Sequence, residues 1–191
     1  MSNVKHSSAN SRWFTPIPII DSARVVLGGT IDLDPASEEF ANTRIQAKRF
    51  ITQEEDALNP STIWATEPVS VFLNAPGGIQ LGTRESIPVL FWKRLMELKN
   101  NGLLKHAIVI GFSLEFLQTS QDKGCLSGCD FPQCIPKKRM KFDLSEGKKN
   151  SPSHSNIIIY VPGLEDNTTS FAQEFKQYGA ILQPYHYIYD I

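Results

Sequence analysis

The chain lacks any apolar run near the roughly twenty residues that a helix needs to cross a bilayer. It also lacks a glycine-rich phosphate loop of either the Walker or the dinucleotide type. The first absence argues against a membrane-spanning helix, and the second against a nucleoside triphosphatase or a nicotinamide enzyme. Neither sign of charge dominates: 19 Lys and Arg stand against 20 Asp and Glu, for a net charge of -1. No global field therefore attracts nucleic acid, and any such contact falls to local patches. Cysteine is scarce, with Cys125, Cys129 and Cys134 in one window spaced C-x3-C-x4-C. An odd count argues against a disulfide framework. Zinc would need a fourth ligand, and His154 lies twenty residues beyond Cys134. Reduced thiols in a loop, without metal, are the expectation. Internal repeats and low-complexity blocks are also absent.

What is present is a globular composition, 41% hydrophobic and 20% charged. A length of 191 residues suits one domain with a full core. We expect a disordered lead over 1–11 and a single domain over 12–191. The lead is polar after its lysine, which predicts no secretory signal and a cytoplasmic location.

The chain is organised around Val71-Phe72-Leu73-Asn74-Ala75-Pro76-Gly77-Gly78. An apolar run ending in Asn, Pro and two glycines predicts a buried strand that delivers a tight loop at its carboxyl end. In open α/β sheets ligands bind there. Asn74 brings a side-chain amide oxygen and Ala75 a carbonyl that strand pairing does not need. Two converging acceptors suit an exocyclic amine. Accepting both hydrogens of an aromatic amino group would favour a more tetrahedral nitrogen and expose its delocalised lone pair to an electrophile, by positioning and electrostatics alone.

Around this loop the pattern alternates. Thr15 and Pro16 fit the cap and first turn of a helix through Ile19, Ile20, Ala23 and Val26, ended by Gly28-Gly29. Thr30 to Leu33 predicts a short strand running into Asp34-Pro35-Ala36-Ser37. Asp32 and Asp34, at the mouth of a sheet, can accept from a ligand's hydroxyls or ammonium. Glu38 to Lys48 predicts a helix with Phe40, Ala41 and Ile45 inward, and Phe50 to Thr52 a second strand. Pro88 to Asn101 is the clearest helix, closed by Gly102 and followed by a central strand, His106 to Gly111. That order implies a right-handed crossover and a parallel sheet. Ser113 to Gln121 predicts a helix, Gly124 to Pro136 a loop, and Lys137 to Phe142 a strand with basic residues on one side. Asn156 to Val161 predicts a strand, Thr168 to Tyr178 a helix and Ala180 to Tyr189 a last strand. Lys137, Lys138 and Arg139 are the candidate phosphate contacts; each phosphate neutralised would steepen the salt dependence of DNA binding by about 0.9 in log units.

Taken in order, Trp13-Phe14-Thr15-Pro16, Asp32-Leu33-Asp34-Pro35-Ala36-Ser37, Asp56-Ala57-Leu58, Trp64, Phe72 to Gly78, Ala107 to Ser113, Pro136 to Phe142 and Ser151 to Asn156 resemble the phage-type (phage Dam-like) DNA N6-adenine methyltransferases. The resemblance implies an α/β fold of the Rossmann-like, S-adenosylmethionine-dependent methyltransferase class, a mostly parallel sheet flanked by helices. It implies S-adenosylmethionine as methyl donor, double-stranded DNA as partner and a phage or prophage source, with no obligate protein partner evident. By the family pattern Thr15, Pro16 and the turn Asp34, Pro35, Ala36, Ser37 would face the methionine and ribose, with Asp32 alongside and Asp56 on the adenine edge. Asn74, Ala75, Pro76 and Gly77 would form the catalytic loop. The family loop runs Asn or Asp, Pro, Pro, aromatic; here Ala75 replaces the first Pro and Gly77 the aromatic. The first change frees a backbone angle, and the second removes the surface on which a flipped base stacks. Phe112, Phe131 and Trp92 are the candidate replacement rings. A catalytically degenerate relative that binds DNA or cofactor, and a methyltransferase acting on cytosine N4, are the alternatives.

Overall fold

The computed structural model describes residues 13–112, 114–121, 126–144, 149–150 and 155–184. The expectations for 1–11, Cys125, His154 and residues 185–189 lie outside them. In chain order the elements are β1 (Trp13–Phe14), α1 (Ile17–Val26), β2 (Leu33–Asp34), α2 (Glu39–Ile45), β3 (Arg49–Phe50), β4 (Val69–Leu73), α3 (Ile87–Asn100), β5 (Leu104–Phe112), α4 (Leu114–Gln121), β6 (Gln133–Pro136), β7 (Phe142–Leu144), β8 (Lys149–Asn150), β9 (Asn156–Pro162), α5 (Thr168–Phe175) and β10 (Gly179–Leu182). No helix of the described residues is long and apolar enough to cross a membrane.

The helices start and stop where local chemistry dictates. α1 carries Pro18 in its first turn and buries Ile19, Ile20, Ala23 and Val26 on one face. Gly28 and Gly29, at φ 75° and 92°, take the left-handed backbone that ends it, and the Gly29 N–H donates to the Arg24 carbonyl at 2.8 Å. Thr15 does not cap this helix, because its hydroxyl is engaged elsewhere. In α2 the inward residue is Ile45; Phe40, expected inside, is 54% exposed and meets only the edge of the Phe14 ring at 5.0 Å.

The seven-stranded sheet has the order β10-β6-β9-β5-β4-β2-β3. β3, β2, β4 and β5 pair in parallel, whereas β5 with β9, β9 with β6, and β6 with β10 pair antiparallel. The expectation of a mostly parallel sheet is thus corrected: the fold is α/β with a mixed sheet flanked by helices. The run Ile157 to Val161 reports burial on both faces, which parallel and antiparallel central strands share, so it carries no direction. The β4–α3–β5 crossover does yield the expected parallel neighbours. A smaller three-stranded sheet, β1-β7-β8, holds the residues just before α1. The strand expected over Lys137 to Phe142 is not continuous: β6 stops at Pro136 and β7 starts at Phe142, leaving Lys137, Lys138 and Arg139 exposed between them.

Each face of the large sheet carries its own core. On one side α3 packs Trp92, Leu95 and Met96 over Val71, Leu73 and Val109. On the other, α1 and α5 pack Ile20, Ala23, Phe171 and Phe175 over Phe72, Ile108 and Tyr160. Cys134 of β6 belongs to this second core; burial pushes its thiol up to about 11, while Cys129 is exposed. The two described cysteines therefore face different surroundings.

Candidate functional site

Among the parallel strands, the order reverses direction of travel at one place. From β2 the chain moves outward to β3, then returns to the other side of β2 as β4 and continues to β5. The crevice between the carboxyl ends of β2 and β4 is therefore the topological switch point, where neighbouring loops part and leave room for a ligand. Asp34 ends β2 and Asn74 directly follows β4. Alternation along the strands places both side chains on the α1 face, since Leu33 and Leu73 belong to the α3-side core.

Asn74 is held from one side only. Its Nδ2 donates to the Thr15 Oγ1 at 3.0 Å, and its Oδ1 is buried without a hydrogen-bond partner. Thr15 is itself fixed: the Arg44 guanidinium donates to its carbonyl at 3.1 Å, pairs with Asp143 of β7 and lies over the Phe14 ring. The small sheet and α2 thus orient the amide so that its oxygen is the free group. Ala75 is buried, and no hydrogen bond among the described residues uses its carbonyl. Both acceptors named from the sequence are thus without a hydrogen-bond donor among the described residues.

At Asp34 the carboxyl is 1% exposed, and burial pushes its pKa up to about 7 despite the Ala36 N–H, which donates to Oδ1 at 3.1 Å. The Ser37 hydroxyl is close enough to favour the anion but sits outside hydrogen-bonding geometry, and Ser37 Oγ is buried without a partner. Pro35 and Ala36 complete the turn, which the Ser37 N–H ties to the Ile51 carbonyl at 3.1 Å.

One further group joins them that the sequence reading did not single out as a site residue. Asn156 opens β9, opposite Phe112 at the end of β5, and both polar atoms of its side chain are buried without partners. Because β9 runs against β5, its first residue lies at the same edge of the sheet as Asn74. Ile157 faces the α3-side core, so Asn156 shares the α1 face with Asn74 and Asp34. Among the described residues, every buried side-chain polar atom lacking a partner belongs to Ser37, Asn74 or Asn156. Proteins rarely leave such groups unpaired, and finding all of them along one sheet edge marks a polar ligand site. A signal for Asn156 existed: it is the polar residue that opens an otherwise apolar strand.

Other expected residues fall into different places. Asp32 precedes β2, at the amino end of that strand. There it binds the Ser70 N–H at 2.9 Å, the Ser70 hydroxyl at 3.1 Å, Lys48 at 2.7 Å and Lys105 at 3.3 Å. Burial opposes its charge, yet the Lys48, Ser70 and Lys105 partners outweigh it and hold the carboxyl far below the usual carboxylate range. Ser70 and Lys105 lie at the amino ends of β4 and β5, so Asp32 ties strand starts together and does not join the site. Asp56 is exposed in the loop after β3, at φ 51°, and its carboxylate accepts from the Leu58 N–H at 3.1 Å. It lies beyond the carboxyl end of β3, on the site's side of the sheet. Pro16 borders an open groove of about 410 Å³ whose other walls include Met140, Tyr178, Lys137, Lys138 and Lys141. Arg139 is exposed on the same segment.

Pro76 and Gly77 are exposed. A Cβ at Gly77 would meet nothing within 4 Å, and its φ is not in the left-handed region. Trp92 and Phe131 cannot serve as the missing ring: both are buried in the α3-side core, and the Trp92 Nε1 donates to the Leu126 carbonyl at 2.8 Å. Beyond Gly78 the chain forms a small projecting hairpin, bridged Ile79 to Ser86, whose Leu81 is 93% exposed.

Compared with protein-family models, with curated proteins and with solved structures, the chain finds no match.

Proposed function

We propose that this chain transfers a methyl group from S-adenosylmethionine to the N6 amino group of adenine in DNA. The observation that carries the reading is the buried Asn74 Oδ1 at the switch point of the sheet, followed by the Ala75 carbonyl, both without a hydrogen-bond donor among the described residues. An acceptor pair of this kind suits an aromatic amine whose hydrogens must be held while its lone pair is used. Alignment of that nitrogen is the larger part of the catalysis asked of the protein. A Rossmann-like methyltransferase fold is compatible with the mixed sheet, and the sequence pattern from Trp13 to Asn156 favours it.

The residues present suit the donor. Asp34 and Ser37 follow the carboxyl end of β2, where an unpaired hydroxyl and a carboxyl with its pKa raised to about 7 would meet ribose hydroxyls or the amino-acid end. When bound, S-adenosylmethionine supplies an electrophilic methyl: an N–C bond forms as the S–C bond breaks, and one amino proton is lost to solvent. Asn74 and Ala75 hold the amine; Thr15 and Arg44 hold Asn74.

DNA would approach over the same edge. Lys137, Lys138, Arg139 and Lys141 supply cations for phosphate, and the hairpin after Gly78 presents the exposed Leu81 a few residues from Asn74. An apolar wedge of this type offsets the few kcal/mol needed to unstack and flip a base.

Nucleoside mass spectrometry of DNA from a methylase-free bacterial host expressing the protein tests the reading. N6-methyladenine is the expected product. N4-methylcytosine would move the substrate, and no modified base from folded protein would overturn the reading.

Gly77 favours a second reading, a relative that binds cofactor or DNA without transferring methyl. Its backbone accepts a side chain and open space surrounds it, so the missing ring is a feature of the sequence and not of the fold. Gly77→Tyr is expected to raise kcat/KM on DNA by roughly 5- to 150-fold, the equivalent of about 1 to 3 kcal/mol of base stacking. Transfer detectable only in the variant would identify a degenerate site.

A further inference from the structure

Asn156 is 4% exposed, and neither its Oδ1 nor its Nδ2 has a hydrogen-bond partner among the described residues. Burying an amide unpaired is costly, and the rest of β9, Ile157 to Val161, is apolar. A leucine would suit this position better if packing were its only task. Residues that break the local rule at a ligand-binding edge are where function is expected to have won over stability.

Resting on the reading above, we propose that the Asn156 carboxamide pairs with the aminopurine edge of the adenine ring in the methyl donor's nucleoside, since the two amino hydrogens of a target base are taken by Asn74 and Ala75. A primary amide offers one acceptor and one donor side by side. Its complement must offer a donor beside an acceptor, which adenine does with its exocyclic amine and either neighbouring ring nitrogen. The placement agrees. β9 is separated from β4 by β5 alone, about 10 Å between strand axes, and Asn156 shares a face and an edge with Asn74. A planar ring with its sugar fits a gap of that width.

The test is calorimetric titration of the full chain with adenosine and with purine riboside, which lacks the amine, beside Asn156→Leu and Asn156→Asp. The parent is expected to prefer adenosine by about tenfold or more. Asn156→Leu should lose that preference while melting at or above the parent temperature, because it removes an unpaired buried amide. Asn156→Asp keeps the acceptor and should keep part of the preference. Adenosine displaced by S-adenosylmethionine supports the assignment to the donor's nucleoside. Adenosine that still binds with undiminished preference to protein saturated with S-adenosylmethionine overturns it. A parent without preference, or an Asn156→Leu variant that keeps it, overturns the proposal. Binding discrimination in a protein that methylates nothing would sink the transfer reading and leave this inference standing. Methylation with Asn156→Leu indistinguishable from the parent in binding would do the reverse.

Discussion

Asn74→Ala is expected to cut the yield of methylated adenine about 100-fold or more without lowering the melting temperature. The two halves of that expectation have one cause. The Asn74 Oδ1 is buried without a partner, so removing it relieves an unsatisfied acceptor and costs the fold only the Nδ2 contact with Thr15. The transition state, by contrast, loses an acceptor aimed at the amine. Asn74→Asp keeps the oxygens but loses the N–H that Thr15 receives, so it should retain part of the activity and bind DNA less selectively. Labelled methyl transfer to a defined oligonucleotide, run beside a thermal melt, reads both effects. A loss of activity that merely tracks a loss of folded protein would place Asn74 in the structure and not in the chemistry.

Legibility in the sequence followed the range of the forces involved. The carboxyl end of β4 and both ends of α3 were readable to within a residue, because a continuous apolar run and a proline-to-glycine helix frame are local signals. The loop after β4 was readable for the same reason. Strand direction beyond β5 was not, since burial on both faces looks alike in either orientation. Asp32 and Asp34 looked equivalent at two residues' separation, yet they flank Leu33 in different surroundings. The strand between them is only Leu33–Asp34, and what tells them apart is Ser70, Lys48 and Lys105 around one and apolar burial around the other. Thr15 looked like a cap and proved to be the clamp on Asn74, a contact spanning 59 residues that no local pattern encodes. Asn156 carried a signal that only the sheet order makes meaningful.

Asp34→Asn is expected to raise stability at pH 8 by up to about 4 kcal/mol relative to the parent, and to leave it nearly unchanged near pH 4. In the folded chain the carboxyl has its pKa raised to about 7 from the ordinary 3.8, because burial penalises its charge more than the Ala36 N–H and the Ser37 hydroxyl favour it. The folded state therefore holds this proton more tightly than the unfolded one. Stability from the group is complete below about pH 4, declines as pH rises through 7 and is level above. Asparagine copies the neutral form and removes the decline. Asp32 works in the opposite sense: its lowered pKa contributes stability that is lost only as pH falls well below the usual carboxylate range. The parent curve mixes both, and the difference between parent and Asp34→Asn isolates Asp34. Denaturant titrations from pH 4 to 8 give that difference. A buried acid kept at this cost should serve the ligand: if its ionised form accepts from the donor's hydroxyls, S-adenosylmethionine affinity rises with pH through 7 in the parent and not in Asp34→Asn. A pH-independent affinity in both would leave Asp34 as a turn-forming residue that Ala36 alone explains.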